Sequence, residues 1–141
     1  MISSFILNSL LVAIAILIHY EMLYRLSNII PKLTVRYRFR VVIGLFGAVL
    51  AHIVEVWIFA LGYYFMINQE GYGSLTGNFN GTLMDCGYFS FTTYTSLGLG
   101  DIEPLGHLRF LVGLEGLTGL VLITWTASFM FLEMQKFWNR M

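Results

Sequence analysis

The amino-acid sequence predicts an all-α membrane protein with three transmembrane helices. Of its 141 residues, 57% are hydrophobic and only 11% are charged, whereas a soluble domain carries roughly 25% charged residues. Three apolar segments are long enough to cross a bilayer, whose hydrocarbon core takes about 20 helical residues. One short basic connection and one longer, glycine-containing connection separate them.

Residues 1–30 contain the first predicted transmembrane helix. The alternative is a cleaved signal peptide. The start of the chain carries no Lys or Arg, however, and no small-residue cleavage site follows the apolar run. We therefore expect a retained membrane helix.

Residues 31–40 form a basic loop, which the positive-inside rule places in the cytoplasm. The alternative is a voltage sensor, in which arginines repeat every third residue of an apolar helix. Arg36, Arg38 and Arg40 instead repeat every second residue, which favours a loop that sets topology. We expect a multi-pass protein of the cell (inner or plasma) membrane, with its N-terminus extracytoplasmic and its C-terminus cytoplasmic.

A short glycine-rich segment, residues 96–101 with the sequence SLGLGD, is the candidate functional site. Two glycines alternate there with two leucines. Glycine adopts backbone angles that are closed to other residues, so successive carbonyl groups can point the same way. Within a membrane, irregular backbone persists only where it is buried in protein or lines a water-filled path. The segment therefore predicts an ion-selectivity filter.

Residues 85–95, just before this segment, make about three helical turns, which is too short to span a bilayer. We therefore expect a re-entrant helix that enters and leaves the membrane on the same side. The predicted pore module covers residues 41–135. Its parts in chain order are an outer helix 41–66, an extracytoplasmic loop 67–84, a pore helix 85–95, a filter 96–101 and an inner helix 107–135. A cytoplasmic tail, residues 136–141, follows the module.

Residues 89–104, FSFTTYTSLGLGDIEP, resemble the pore loop of the potassium channel superfamily. The usual filter of that superfamily is Thr-Val-Gly-Tyr-Gly-Asp, preceded by a Thr-rich pore helix. Lying between two spans, this loop is similar to that of the small bacterial two-helix pore module. The resemblance covers about residues 41–135, and the first helix lies outside it.

The resemblance implies a homotetramer around a central pore, because one pore loop supplies a quarter of a filter. It implies K⁺ as the conducted ion, with backbone carbonyls replacing its hydration shell. The implied filter residues are Ser96, Leu97, Gly98, Leu99 and Gly100, with K⁺ held by the first four. The implied filter-supporting residues are Tyr88, Thr92, Thr95 and Asp101.

Three positions depart from the family pattern. Ser96 replaces the usual Thr and lacks the methyl group that restricts its rotamer. Leu99 replaces the usual Tyr, so the hydroxyl that ties the filter to surrounding helices is absent. Tyr88 stands where a Trp is frequent and could hydrogen-bond Asp101. The alternatives to a K⁺-selective channel are therefore a weakly selective Na⁺/K⁺ channel and a non-conducting accessory subunit.

Ionisable residues within the apolar segments are expected to be functional. His52 and Glu55 share a helix face, being three residues apart, and Glu115 lies in the last segment near the expected filter level. One interpretation is that they hydrogen-bond the pore helix and brace the filter. The other is a proton-sensitive gate, because histidine titrates near neutral pH.

The last apolar segment offers a possible hinge and a possible gate. Gly116 and Gly119 lie where relatives bend this helix, and the alternative for both is close helix packing. Thr126, Met130 and Glu133 follow at three- to four-residue spacing and are predicted to line the inner cavity and gate.

Other classes of function are disfavoured. The net charge is zero, which does not suggest a nucleic-acid partner, and the single Cys86 excludes an internal disulfide framework. We expect lipids, K⁺ and further copies of the chain as partners, no cofactor beyond K⁺ in the filter, and no enzymatic activity. The remaining alternative is a membrane enzyme or metal transporter, whose metal ligands would have to converge on one point. The residues available for such a site form no paired ligand motif in the sequence; they are His19, Glu21, His52, Glu55 and Glu115.

Overall fold

The structure, a computed structural model, describes residues 2–138. Its elements in chain order are α1 (Ile2–Ile29), a 3₁₀ turn (Ile30–Lys32), α2 (Tyr37–Ile67), β1 (Ser74–Gly77), α3 (Leu83–Tyr94), β2 (Ile102–Leu105) and α4 (Leu108–Trp138). The helices α1, α2 and α4 pack on one another, and each contains a stretch long and apolar enough to cross a membrane. The prediction of a mostly helical chain with three such helices is confirmed.

The first helix, α1, packs on both α2 and α4 through one face. The buried residues of this face follow helical spacing; they are Ser4, Asn8, Leu11, Ala15, His19 and Leu23. The helix gives way to the 3₁₀ turn just before Pro31, because proline lacks the N–H that a continuing helix would use. One buried face of α1 thus carries both apolar and polar groups into the chain interior.

The connection between α1 and α2 is shorter than the predicted basic loop, residues 31–40. The second helix begins at Tyr37, so the last four residues of that loop are helical. At the other end of the chain, α4 continues to Trp138. The described part of the predicted tail is therefore helical, and residues 139–141 of that tail lie outside the described residues.

A small antiparallel sheet, which the sequence analysis did not predict, pairs β1 with β2. Leu75 faces Pro104 in the pairing, and Gly77 faces Ile102. Each strand has only four residues, too few to show the alternating pattern by which strands are recognised. The strand β1 lies within the predicted extracytoplasmic loop 67–84, and the sheet fastens that loop to the residues that follow the glycine-rich segment.

The short helix α3 begins two residues before its predicted start, and a capping box fixes that position. The Thr82 hydroxyl accepts a hydrogen bond from the Asp85 N–H (3.1 Å), and the Asp85 carboxylate accepts one from the Thr82 N–H (3.2 Å). Such reciprocal bonds satisfy two N–H groups that helix starts otherwise leave unpaired. Hydrogen bonds with the Thr82 side chain, and then with the backbone of Thr82 and Asn80, hold the pKa of Asp85 below its ordinary value.

Helix α3 packs between α2 and α4. The Tyr63 and Phe89 rings meet edge to face with centroids 5.1 Å apart, a favourable aromatic geometry. A side-chain carbon added at Gly87 would lie 3.2 Å from the Trp57 ring, so the absence of one allows α3 to approach α2. This packing sets the position at which α3 ends and the glycine-rich segment begins.

Candidate ion-conduction site

The glycine-rich segment, residues 96–101, follows the last turn of α3 directly. The Ser96 N–H donates to the Thr93 carbonyl (2.9 Å), and the Gly98 N–H donates to the Thr92 carbonyl (3.0 Å). Every second residue has a positive φ: 58° at Ser96, 52° at Gly98 and 78° at Gly100. Alternation between left-handed and ordinary backbone allows successive carbonyl groups to point toward one side, and their role in binding an ion stays a prediction.

Ser96 is the one described non-glycine residue with a positive φ. A left-handed conformation costs a residue with a side chain roughly 1–2 kcal/mol, and such strain clusters at functional sites. The hydrogen bond from its own N–H to Thr93 fixes this conformation. The position that departs from the family pattern by lacking a methyl group is therefore also a strained one.

The glycine-rich segment is open within a single chain. Leu97 is 66% exposed and Leu99 is 59% exposed. Side-chain carbons added at Gly98 or Gly100 would meet no atom within 4 Å. The backbone of this segment is thus free to face an ion, and its leucines are free to contact another molecule.

The far end of the segment is held at Asp101. The Tyr88 hydroxyl donates to the Asp101 carboxylate (2.9 Å), the contact considered from the sequence. The Asp101 carbonyl accepts a hydrogen bond from the Asn78 N–H (2.8 Å), which ties the segment to the residue after β1. These bonds hold the end of the segment to both α3 and the small sheet.

The two threonines predicted to support the segment do so differently from Tyr88 and Asp101. The Thr92 hydroxyl donates to the Phe89 carbonyl (2.9 Å), and the Thr95 hydroxyl donates to the Phe91 carbonyl (2.7 Å). Both hydroxyls therefore serve their own helix. Thr92 supports the segment through its backbone carbonyl, which accepts a hydrogen bond from the Gly98 N–H.

Two buried carboxylates lie against α3. Glu115 accepts a hydrogen bond from the Tyr63 hydroxyl (2.5 Å) and one from the Ser90 hydroxyl. The Ser90 hydroxyl also lies 2.8 Å from the Val56 carbonyl. Because Tyr63 is on α2, Ser90 on α3 and Glu115 on α4, this cluster joins three helices through side chains.

The second buried carboxylate, Glu55, binds the end of α3. It accepts a hydrogen bond from the Tyr94 hydroxyl, and its other oxygen lies 2.8 Å from Nδ1 of His19. His52 Nδ1 lies 3.1 Å from Glu55 and 2.9 Å from the Tyr94 hydroxyl. His52, Glu55 and Glu115 thus make the contacts that the bracing interpretation requires, while the proton-sensitive gate stays a prediction.

Comparison with known protein families decides the class. Residues 51–136 match a family described as an ion channel, and this stretch contains α3, the glycine-rich segment and nearly all of α4. The chain is a member of this ion channel family. The resemblance to the potassium channel superfamily is confirmed at the level of the family. No curated protein and no solved structure matches the chain.

The family match does not include α1 of this ion channel, yet α1 contributes to the site. His19 of α1 reaches Glu55 on α2, and its Nε2 lies 3.3 Å from the Thr126 hydroxyl on α4. The sequence analysis missed Tyr63, Ser90 and Tyr94 as members of the two clusters. The Tyr63 hydroxyl lies within an otherwise apolar helical segment, and that is the signal that could have indicated a buried hydrogen-bond partner.

The two glycines proposed as a hinge have different surroundings. A side-chain carbon at Gly119 would lie 2.1 Å from the Tyr94 carbonyl oxygen, whereas one at Gly116 would lie 3.6 Å from the Thr93 carbonyl oxygen. Gly119 therefore serves close packing of α4 against the end of α3, the alternative stated for it above. A hinge at either position stays a prediction.

The predicted inner gate needs correction. Thr126, Met130 and Glu133 are buried within the single chain. The Thr126 hydroxyl contacts His52, the Met130 side chain packs near Gly44 of α2, and Glu133 pairs with Lys136. Thr126 and Met130 are directed toward α2, and Glu133 borders a cavity between α1 and α4, so this helix face lies against helices of the same chain. Spacing identified the shared face but not the direction in which it points.

Proposed function

We propose that this ion channel is a homotetramer that conducts K⁺ passively through the carbonyl groups of residues 96–100. The observation that carries the proposal is the alternation of positive φ at Ser96, Gly98 and Gly100. Alternating backbone of this kind aims carbonyl oxygens toward one side, and rings of such oxygens replace the hydration shell of K⁺. K⁺ would then be the ion that the channel transports.

Assembly of several copies is supported by the openness of the glycine-rich segment. One segment surrounds an ion on one side only, so a closed ring of carbonyls needs further copies. The exposed Leu97 and Leu99 would then be covered by neighbouring subunits. A groove beside the segment offers such a contact; it is lined in part by Thr92, Ser96, Val112, Gly113 and Leu117.

The remaining parts of the proposed pore follow from charge and helix direction. As a re-entrant pore helix, α3 would direct the negative end of its dipole from Tyr94 toward the cavity and so favour cations. Four copies of Asp101 and Glu103 would concentrate cations at the outer mouth. The basic residues around residues 31–40 support the opposite side as cytoplasmic, in a cell membrane.

A weakly selective Na⁺/K⁺ channel is the second candidate, and Leu99 favours it. A leucine cannot form the hydrogen bond that the usual filter tyrosine makes. The Leu99 side chain is exposed, whereas Asp101 is held by a hydrogen bond from the Tyr88 hydroxyl. The middle of the filter is therefore held by fewer contacts than its end. A filter that widens easily would discriminate less between the two ions.

Flux from purified protein in liposomes tests the proposal. Vesicles loaded with K⁺ and diluted into Na⁺-free buffer with a protonophore, so that H⁺ entry balances the charge, should lose K⁺ rapidly when a K⁺-permeable pore is present. The same vesicles loaded with Na⁺ should lose it much more slowly. Equal loss of both ions would favour the weakly selective channel, and no loss beyond that of protein-free vesicles would favour the accessory subunit.

A further inference from the structure

The helix outside the family match, α1, brings one histidine to a histidine and a glutamate of α2. Nδ1 of His19 lies 2.8 Å from one oxygen of Glu55, and Nδ1 of His52 lies 3.1 Å from the other. His19 and Glu55 are fully buried. Three potential metal-ligand atoms, one from each residue, lie within 4.8 Å of one another.

The charge of this cluster is unusual for a membrane interior. The Glu55 carboxylate contacts two imidazoles and the Tyr94 phenol. If both imidazoles are neutral, an ionised Glu55 leaves one negative charge without an opposite charge in contact with it. A buried charge is costly unless it is paired or coordinates a metal. A bound cation would remove that cost.

The hydroxyl of Thr126 lies near the Nε2 atoms of both imidazoles, on the side away from this carboxylate. Its oxygen lies 3.0 Å from Nε2 of His52 and 3.3 Å from Nε2 of His19. A hydroxyl oxygen has two acceptor lone pairs, so it can accept from both Nε2–H groups at once. Each imidazole then presents its Nδ1 lone pair toward Glu55. Metal-binding histidines are commonly fixed by such a bond from their other nitrogen.

We propose that His19, His52 and Glu55 bind a divalent first-row transition-metal ion of the Zn²⁺ type, with the Tyr94 hydroxyl as a fourth neighbour. A tetrahedral ion with bonds of about 2.0–2.1 Å keeps its ligand atoms about 3.3 Å apart. The two observed distances, 2.8 Å from His19 Nδ1 to one Glu55 oxygen and 3.1 Å from His52 Nδ1 to the other, are about 0.5 and 0.2 Å shorter than that spacing. Two imidazoles and one carboxylate suit Zn²⁺ and its neighbours, whereas Ca²⁺ and Mg²⁺ prefer oxygen ligands alone.

The position of the site couples it to conduction, a consequence that rests on the proposed function. Tyr94 is the last residue of α3, and the glycine-rich segment starts two residues later. A metal ion would join α1 and α2 next to the hydroxyl of Tyr94, at the end of α3. Metal binding should therefore stabilise the folded channel and change the rate of K⁺ flux.

Cobalt titration of the purified full-length channel tests the site directly. Co²⁺ replaces Zn²⁺ readily in such sites and gives visible d–d absorption when its coordination is tetrahedral. We expect absorption that saturates at one Co²⁺ per chain and is abolished by added Zn²⁺. His19→Gln and His52→Gln should each weaken Co²⁺ affinity at least about tenfold, the usual cost of losing even an outer partner of a metal site.

The third histidine supplies the matched control. His107 is exposed in the turn just before α4, so His107→Gln should leave the titration unchanged. Thr126→Val removes the hydroxyl near both Nε2 atoms and keeps all three proposed ligands, and it should weaken affinity by roughly 10–100-fold. Size-exclusion profiles identify any variant that fails to assemble, and the wild-type titration decides the proposal even if every variant fails.

Absence of saturable Co²⁺ absorption in the wild-type channel would overturn the proposal, as would binding that persists in the His19→Gln/His52→Gln double variant. Loss of binding in His107→Gln would assign the metal to the surface and overturn it too. Because the titration does not depend on ion flux, its failure is distinct from failure of K⁺ conduction. A channel that conducts K⁺ but binds no Co²⁺ keeps the proposed function and loses the metal site.

Discussion

The glycine-rich segment and the polar clusters behind it differ in how much of their surroundings the same chain supplies. In the clusters, Glu55 and Glu115 find their partners on other helices of the same chain and are fully buried. In the segment, Leu97 and Leu99 are exposed, and the space around Gly98 and Gly100 is open. One region finds its hydrogen-bond partners within a single chain, whereas the other is open to the ion and the further subunits of the proposed channel.

This difference assigns separate roles to the two regions. The polar clusters hold α3 in place, and the glycine-rich segment supplies the carbonyl groups proposed to contact the ion. The clusters fasten α3 to its neighbours through Tyr63, Ser90 and Tyr94, and so they fix where the segment starts. The segment then needs only a particular backbone conformation to direct its carbonyls. Variants in the two regions should therefore fail differently: those in the segment by losing conduction, and those in the clusters by losing stability.

Gly100→Ala should have the largest effect on conduction. Gly100 has φ of 78° with no atom within 4 Å of an added carbon, so the substitution costs about 1–2 kcal/mol of backbone strain per chain without a clash. Four copies would act on one proposed pore. We expect K⁺ flux in liposomes to fall at least about tenfold.

Gly81→Ala is the matched control for that variant. Gly81 has φ of 79° and equally open surroundings, but it lies in the loop before α3. The backbone cost should be the same, while K⁺ flux should stay close to that of the wild type. Equal loss of flux in both variants would mean that strain anywhere stops conduction, and that the glycine-rich segment has no special part in it.

Gly119→Ala should disrupt the junction between the two regions. The added carbon would lie 2.1 Å from the Tyr94 carbonyl oxygen, so the end of α3 must move. Overpacking of this kind costs roughly 1–3 kcal/mol, and the shift would reach the proposed filter directly. Both the midpoint of thermal unfolding and K⁺ flux should fall.

Gly116→Ala distinguishes this packing role from a hinge. The added carbon would lie 3.6 Å from the Thr93 carbonyl, which is ordinary contact, and alanine favours a helix by about 1 kcal/mol. We expect an unfolding midpoint at or above that of the wild type, with flux retained. Similar changes of flux in both variants would instead support a hinge that spans the two glycines.

Glu115→Ala should lower stability more than it changes selectivity. The Tyr63 hydroxyl would lose its acceptor in a fully buried position. An unpaired buried hydroxyl together with the new cavity costs about 2–4 kcal/mol. Thermal unfolding of the purified protein measures the loss. Glu115→Gln keeps a carbonyl acceptor for Tyr63 and should lose less; an equal loss would argue against this hydrogen bond as the cause.

Tyr88→Phe should have the smallest effect, confined to the outer end of the segment. It removes one exposed hydrogen bond to the Asp101 carboxylate, while the Asn78 bond to the Asp101 carbonyl stays. We expect currents that decline faster at low external K⁺. Asp101→Ala removes the acceptor of the same bond, so adding Tyr88→Phe to Asp101→Ala should not make the currents decline faster than Asp101→Ala alone. Additive effects would indicate that the two residues act separately.

The sequence was sufficient to predict the three long apolar helices and the glycine-rich segment, because both signals are local. Hydrophobic length indicates a membrane span, and alternating glycines indicate unusual backbone. The helix face of Thr126, Met130 and Glu133 was also recognised from spacing. Its direction was not, because spacing along a helix contains no information about which neighbour the face contacts.

The contacts that the sequence did not predict join residues that are far apart along the chain. His19 reaches Glu55 across 36 positions, and its contact with Thr126 spans 107 positions. The strands β1 and β2 are likewise too short for a recognisable pattern and find each other only in the folded chain. Local patterns therefore predicted the backbone site, whereas the side-chain clusters needed the tertiary structure.

The reversal potential of the purified channel in a planar bilayer tests the central proposal most directly. With K⁺ on one side and an equal concentration of Na⁺ on the other, a carbonyl filter formed by residues 96–100 predicts a large potential in the direction set by K⁺. Each tenfold preference for K⁺ should contribute about 59 mV, the monovalent Nernst slope. A reversal potential near zero, from currents that Gly100→Ala abolishes, would contradict K⁺ selectivity at this filter.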